Sequence, residues 1–87
     1  MPMPNITVYS GPNCPYCWRA KQLLQRKKAP FTEIDVRADP EAMAEMLAKS
    51  QGKQTIPQIF IDDKHIGGCD DLYALDQAGQ LDPLLQT

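Results

Sequence analysis

Two strand-like runs flank one helical segment near the N-terminus, and this arrangement constrains the fold more than any other feature. Residues 5–10, NITVYS, and residues 31–36, FTEIDV, are rich in β-branched and aromatic residues. Between them, Pro15 suits the first turn of a helix, where its missing N–H loses no partner, and Ala29-Pro30 ends the helical pattern. Consecutive strands joined through a helix almost always form a right-handed parallel crossover. The sequence therefore predicts an α/β fold whose first two strands are parallel.

One more helix and two more strands are expected after that crossover. Asp39 and Pro40 read as an N-cap and a first-turn proline, and Gly52 is expected at C′, just after the end of that helix. Residues 55–61, TIPQIFI, are the most apolar strand and are placed centrally in the sheet. Residues 65–66 begin a short return strand.

The C-terminal part is expected to be helical. Gly67 and Gly68 break the return strand, and residues 70–75 open a third helix that ends near Gly79. Residues 81–85 are rich in leucine and are expected to pack as a final helical turn. The order is β-α-β-α-β-β-α, which predicts a small four-stranded mixed sheet flanked by helices.

Length and charge exclude several classes of protein. The 87 residues suffice for one domain with a modest core, so residues 1–87 are expected to form a single domain. The net charge of −2, from 9 basic and 11 acidic residues, gives no electrostatic reason to expect a nucleic-acid partner. No apolar run reaches the roughly 18 residues that span a membrane, and the first ten residues lack the features of a signal peptide. We therefore expect a cytoplasmic protein.

Pro57 conflicts with a central strand, because a proline removes a hydrogen-bond donor from the sheet. Either the strand begins at Gln58, or a cis Ile56–Pro57 bond turns backbone groups outward. Cis bonds are a minority even before proline, so the residues alone favour the first explanation.

Cys14, Cys17 and Cys69 admit three interpretations: a structural crosslink, a zinc site or a redox pair. A crosslink is disfavoured because three is an odd, small number of cysteines and so short a loop would constrain the unfolded chain little. A zinc site could combine the three thiols with His65. However, there is no second Cys-x₂-Cys pair, and Pro15 leads into a helix rather than a tight turn. The redox interpretation is favoured, and the other two remain open.

The redox interpretation depends on the position of the two cysteines. Cys14 is expected where a strand passes into a helix, and Cys17 one turn further in. Unpaired N–H groups and the helix dipole stabilise a thiolate at a helix start, and the thiolate is the nucleophilic form. Arg19 and Lys21 either add positive charge or are simply solvated. Cys14 is therefore the expected nucleophile and Cys17 the resolving thiol.

Three motifs together resemble those of the glutaredoxin family, in its small bacterial dithiol form. They are CPYC at residues 14–17, TIPQIFI at residues 55–61 and IGGCDDL at residues 66–72, in the family's order and spacing. The likeness runs from about Asn5 to Leu85. It implies a thioredoxin-like fold, a cis Pro57 beside the cysteines, and glutathione as the reductant.

The resemblance also implies a set of glutathione-binding residues. They are Tyr16, Thr55, Ile56, Pro57, Gly68, Cys69, Asp70 and Asp71. The Ile56 backbone would pair with the cysteinyl part of glutathione as an added strand does, and the helix start at Cys69 and Asp70 would bind the γ-glutamyl α-carboxylate. Asp71 would bind the ammonium group, and Tyr16 would flank the sulfur. Without the resemblance, the two aspartates would read as favourable first-turn charges and Thr55 and Ile56 as strand packing.

The sequence departs from the family pattern at two positions beside the cysteines. The family often has a lysine three residues before the first cysteine, where this chain has Gly11. Trp18 stands where a polar residue is frequent. Lys53 is an alternative cation for a carboxylate, or a loop charge. With fewer cations, the helix start must carry more of the thiolate stabilisation.

The expected function is glutathione-dependent reduction of protein disulfides and protein–glutathione mixed disulfides through Cys14 and Cys17. The expected partners are glutathione and such proteins, with ribonucleotide reductase a family-level candidate. We expect a monomer without a metal. Two alternatives remain. One is an electron donor recharged by thioredoxin reductase. The other is a module that binds an iron–sulfur cluster between two subunits, each giving one cysteine and a bound glutathione.

Overall fold

The computed structural model describes residues 4–85. The predicted order of elements is confirmed, and the final helical turn expected at residues 81–85 forms a short helix. The elements are β1 (Ile6–Ser10), α1 (Pro15–Arg26), β2 (Thr32–Asp35), α2 (Pro40–Lys49), β3 (Gln58–Ile61), β4 (Lys64–Gly67), α3 (Cys69–Gln77) and α4 (Leu81–Leu85).

The four strands form one mixed sheet in the order β2-β1-β3-β4. β1 runs parallel to β2, as the crossover through α1 predicts, and antiparallel to β3, which in turn pairs antiparallel with β4. β1 and β3 are therefore the interior strands, so the central placement of the apolar run is confirmed.

The core lies on both faces of the sheet, because alternate residues of a strand point to opposite sides. On one face, Val8 and Ile59 pack with buried residues of α1, α3 and α4. On the other, Tyr9 and Phe60 pack with Met46 of α2, and the two rings meet edge to face with centroids 5.6 Å apart. Fully burying one such side chain contributes about 1.5–3 kcal/mol.

Helix α1 buries the face that the sequence predicts. Ala20, Leu23 and Leu24 are all buried against the sheet. The α-helix ends at Arg26, three residues before Ala29, because Lys27 caps it and the chain then turns. The longest helix between residues 4 and 85 has 12 residues, and none there is long and apolar enough to cross a membrane.

The second helix starts as predicted and ends one residue differently. Asp39 caps α2, its carboxylate accepting a hydrogen bond from the Glu41 N–H at 3.0 Å. At the other end Ser50 is the C-cap, so Gln51, at φ +61°, occupies C′ and Gly52 follows it. The prediction of Gly52 at C′ was wrong by one residue. Gly52 is instead C″, and its N–H bonds the Leu47 carbonyl at 2.7 Å, as in a Schellman arrangement.

Both explanations offered for Pro57 hold together. β3 begins at Gln58, and the Ile56–Pro57 bond is cis. The preference for the first explanation alone was therefore wrong, and the cis bond implied by the resemblance is present. The proline lies just outside the strand, so it removes no donor from the sheet.

Candidate redox site

Cys14 sits at the start of α1, where the chain leaves the sheet. It is the N-cap residue in an extended conformation, and Pro15 follows at the first helical position. Asn13, at φ +56°, turns the chain between β1 and α1. The Cys17 N–H donates to the Cys14 sulfur at 3.1 Å, and the Trp18 N–H donates to the Cys14 carbonyl at 3.1 Å. The sulfur thus faces the positive end of the helix dipole, an environment that stabilises a thiolate.

Cys17 lies one turn into α1 and forms a disulfide with Cys14. The two Cα atoms are 5.2 Å apart, within the range for disulfides. Cys17 is only 1% exposed, whereas Cys14 is partly accessible. An incoming disulfide therefore reaches Cys14 first, and the pair can open and close as a dithiol.

The four residues of the zinc alternative are not gathered into one site. Within residues 4–85 no group of three or more histidine, cysteine, aspartate or glutamate side chains is placed to hold a metal ion. Cys69 is buried, and that burial, followed by the negative charge of Asp70, raises the pKa of its thiol. Cys69 belongs to the core cluster that packs under α3.

The loop before β3 forms the wall beside the nucleophile. The carbonyl oxygen of Ile56 lies 3.9 Å from the Cys14 sulfur. Pro57 is buried next to it, and its carbonyl packs against Gly68, where an added Cβ would lie 3.4 Å away. The three sequence motifs therefore meet at one place, although 42 residues separate Cys14 from Ile56 in the chain.

A cleft of about 430 Å³ gathers the predicted glutathione-binding residues. All eight of them line it: Tyr16, Thr55, Ile56, Pro57, Gly68, Cys69, Asp70 and Asp71. The cleft is also lined by Ile66 and Gly67 of the third motif, and by Gln58 and His65, to which the sequence assigned no glutathione contact. A glutamine within an otherwise apolar strand and a histidine in the return strand were the available signals. Lys53, considered only as an alternative cation, lies in the same cleft.

The start of α3 forms one end of the cleft. Gly68 is its N-cap, and the Gly68 N–H donates to the Asp71 carboxylate at 3.0 Å. Gly67, at φ +120°, lies so close that an added Cβ would collide with that carboxylate. Asp71 therefore stabilises the helix start, in addition to any contact with a ligand.

Comparison with known proteins identifies the family to which the chain belongs. The glutaredoxin family model matches residues 6–66. The glutaredoxin of Pseudomonas aeruginosa is 55% identical over 85 residues, which cover 98% of this chain and 100% of that protein. The chain belongs to the glutaredoxin family. It is accordingly a thiol–disulfide oxidoreductase with a thioredoxin-like fold, and Cys14 and Cys17 are its redox-active pair.

Solved glutaredoxin structures match along nearly the whole chain. The solution structure of glutaredoxin from Brucella melitensis is 58% identical, with a TM-score of 0.84, and the match covers 98% of this chain and 91% of that one. The buckwheat glutaredoxin–glutathione complex is 34% identical, with a TM-score of 0.83, covering 94% of this chain and 76% of that one.

A second cleft, of about 680 Å³, lies on the other side of the disulfide. It is lined by Cys14, Cys17 and Trp18, whose indole is 61% exposed. Lys21 also lines it, but its ammonium lies 2.7 Å from the Glu33 carboxylate. Lys21, and then the Ser10 hydroxyl at 2.7 Å, hold the pKa of the Glu33 carboxyl below its usual value. The charge that Lys21 could offer a thiolate is thus largely compensated by Glu33.

Gly11, where glutaredoxins often have a lysine, is covered by side chains from two other segments. A Cβ there would lie 2.7 Å from Arg37 Cγ and 2.9 Å from Ile56 Cδ1. Arg37 and Ile56 thus fill the space that a side chain at this position would enter. The absence of the lysine is coupled to this packing.

Proposed function

We propose that this glutaredoxin uses glutathione to reduce protein disulfides and protein–glutathione mixed disulfides. The observation that carries the proposal is the cleft beside Cys14, which contains every residue that the family resemblance assigns to glutathione. A relative of known structure was solved as a complex with glutathione, which supports the same ligand here.

The cleft offers the tripeptide complementary groups along its length. The Ile56 backbone, 3.9 Å from the Cys14 sulfur, would pair with the cysteinyl residue of glutathione. At the other end, free N–H groups at the start of α3 suit the α-carboxylate of the γ-glutamyl group. The Asp71 carboxylate, which can accept more than the one bond from Gly68, suits the ammonium. Tyr16, 55% exposed, would cover the sulfur.

Deglutathionylation then needs only Cys14. Its thiolate attacks the glutathione sulfur of the mixed disulfide, and the substrate thiolate leaves and takes up a proton. A second glutathione thiolate attacks the glutathione sulfur held on Cys14, which releases oxidised glutathione and restores the Cys14 thiolate.

Protein disulfides require the second thiol. Cys14 attacks one substrate sulfur and forms a mixed disulfide with the protein. Cys17 loses its proton and attacks the Cys14 sulfur, so both substrate thiols leave and the Cys14–Cys17 disulfide forms. Two glutathione molecules then reduce that disulfide. We propose that substrates are cytoplasmic disulfide or glutathionylated proteins, with ribonucleotide reductase a candidate.

Comparing two electron sources tests the proposal. A glutathionylated peptide is reduced either with glutathione and glutathione reductase or with thioredoxin reductase, both recycled by NADPH. We expect turnover with glutathione and less than a tenth of that rate with thioredoxin reductase. A faster rate with thioredoxin reductase would contradict the proposal and favour the alternative electron donor.

The iron–sulfur alternative gives a different observation. Protein purified under anaerobic conditions is expected to be colourless and to show only the absorbance of its aromatic residues. Visible absorbance that accompanies a dimer and is lost in a Cys14→Ser variant would instead support cluster binding.

A further inference from the structure

Gln58 is a polar residue buried at the first position of the interior strand β3. It is 3% exposed, while the three residues that follow it in β3 are all apolar. A buried amide has two donor hydrogens and an acceptor oxygen that must find partners inside the protein. The partners of Gln58 therefore indicate what the side chain holds in place.

Both ends of the Gln58 amide are paired. Its Nε2 donates to the Thr55 carbonyl at 3.0 Å and lies 3.0 Å from the Thr55 hydroxyl. Its Oε1 lies 2.6 Å from Nε2 of His65. A backbone carbonyl only accepts, so the amide nitrogen must face Thr55 and the amide oxygen must face His65. His65 consequently carries a proton on Nε2 and donates it.

His65 is itself held by the core. Its ring stacks on Phe60, with centroids 4.9 Å apart and planes 25° apart. Phe60 in turn packs edge to face against Tyr9 of β1. A continuous set of contacts thus runs from the interior of the sheet through His65 and Gln58 to Thr55.

Thr55 and Ile56 lie before the start of β3, so the strand ladder does not hold them. The Gln58 amide anchors Thr55, and Ile56 is the next residue along the chain. The carbonyl of Ile56 lies 3.9 Å from the Cys14 sulfur. A change in the orientation of Thr55 and Ile56 would move the Ile56 carbonyl relative to the Cys14 sulfur and would alter the wall of the cleft.

We propose that Gln58, held by His65, is a positioning residue that fixes the Thr55–Ile56 backbone in the orientation to which the glutathione part of a substrate binds. Gln58 touches no reacting atom. This role rests on the glutathione-dependent function proposed above.

A Gln58→Glu variant separates the two ends of the amide. The carboxylate keeps the size of the side chain and still accepts from His65, but it cannot donate to the Thr55 carbonyl. The matched control is Gln54→Glu, which makes the same charge change at an exposed position one residue before Thr55. Gln58→Met removes the amide without adding charge and serves as a second variant if the glutamate disturbs folding.

Two substrates make the test specific for the tripeptide. One peptide carries a mixed disulfide with glutathione, and the same peptide carries a mixed disulfide with cysteamine, which lacks the groups that the cleft would bind. For both Gln58 variants we expect KM for the glutathionylated peptide to rise about tenfold, as loss of one or two hydrogen bonds implies. We expect kcat of the Gln58 variants to change less than about twofold, and their kcat/KM for the cysteamine peptide to stay near wild type. The control Gln54→Glu should keep wild-type kinetic constants for both peptides.

The outcomes test the positioning role of Gln58 and the proposed glutathione-dependent function separately. A selective rise in KM for the glutathionylated peptide supports the positioning role. An unchanged KM, or an equal loss on both peptides, overturns it, since the effect would then be absent or a general disturbance of the structure. If the wild-type protein itself shows no preference for the glutathionylated peptide, the glutathione-dependent function fails, whatever Gln58 does.

Discussion

At the scale of single residues, the two cysteines differ because of where α1 places them. Cys14 is partly accessible at the N-cap, and its sulfur accepts a hydrogen bond from the Cys17 N–H at 3.1 Å, whereas Cys17 is buried in the first turn. Nucleophilic attack requires both access and a stabilised thiolate. The division of labour between nucleophile and resolving thiol follows from this difference in position.

We expect a Cys14→Ser variant to lose activity on every substrate, by at least about 1,000-fold, because a serine hydroxyl does not ionise near neutral pH. A Cys17→Ser variant should keep most of its activity on a glutathionylated peptide and lose its reduction of a protein disulfide. The measurement is steady-state turnover of both substrates with glutathione. Activity in the Cys14 variant would mean that another group is the nucleophile.

At the scale of elements, local sequence signals predicted most of the order but not how the loops meet. Asp39-Pro40 and Pro15 marked two helix starts correctly, because capping and proline effects act within one turn. The C′ position of α2 was misplaced by one residue. Gly52 was expected there, but Gln51 occupies it with φ +61°. A positive φ is uncommon at a residue other than glycine, so the local sequence pointed to Gly52 rather than Gln51.

The candidate site was predicted unevenly for a related reason. The spacing of Cys14 and Cys17 and their position at a helix start suggested the redox pair, and the family resemblance supplied the cleft residues. Gln58 and His65 were missed as a pair because their 2.6 Å contact depends on how β3 and β4 align. Contacts of this kind depend on tertiary packing, which cannot be deduced from the pattern of residues along a single strand.

The entry to α3 depends on a glycine at position 67. A Gly67→Ala variant should lose about 2–3 kcal/mol of unfolding free energy, because it combines a positive φ with a collision against the Asp71 carboxylate. Gly79→Ala is the matched control. Its φ is also positive, at +75°, but no atom lies within 4 Å of an added Cβ, so a loss of only about 1 kcal/mol is expected.

Urea unfolding of both variants in the same redox state gives the comparison. The difference between them isolates the contact with Asp71 from the backbone effect. Equal losses would show that the carboxylate moves aside at no measurable free-energy cost.

At the scale of the whole molecule, a polar group ties three elements together on the side of the second cleft. Glu33 of β2 accepts from Lys21 of α1 and from Ser10 of β1, both at 2.7 Å. These partners lower the pKa of the Glu33 carboxyl in the folded protein. A carboxyl whose pKa is lower in the folded state adds stability above its unfolded value and loses that contribution as pH falls through the folded value.

The unfolding free energy should therefore decline as pH falls below about 4.5, partly through Glu33. In a Glu33→Gln variant this part of the decline is absent, and at neutral pH the variant is less stable by about 0.5 kcal/mol, a usual size for a partly exposed ion pair. Glu41→Gln, at an exposed position of α2, controls for net charge. Urea unfolding at several values of pH makes the comparison. Identical pH profiles for Glu33→Gln and the control would contradict the assignment to Glu33.

The central claim is that the start of α1 keeps the Cys14 sulfur ionised, and the pH dependence of its alkylation tests this most directly. A Cys17→Ser variant is reacted with iodoacetamide, and modification of Cys14 is followed by peptide mass spectrometry. The alkylation rate measured only near pH 7 is a poor test of ionisation, because a more stable thiolate is also a weaker nucleophile. Between pH 7.5 and 5.5 we expect the Cys14 rate to fall less than about threefold. An unstructured peptide thiol should slow roughly 90-fold over the same range, and a Cys14 rate that falls as steeply would contradict the claim.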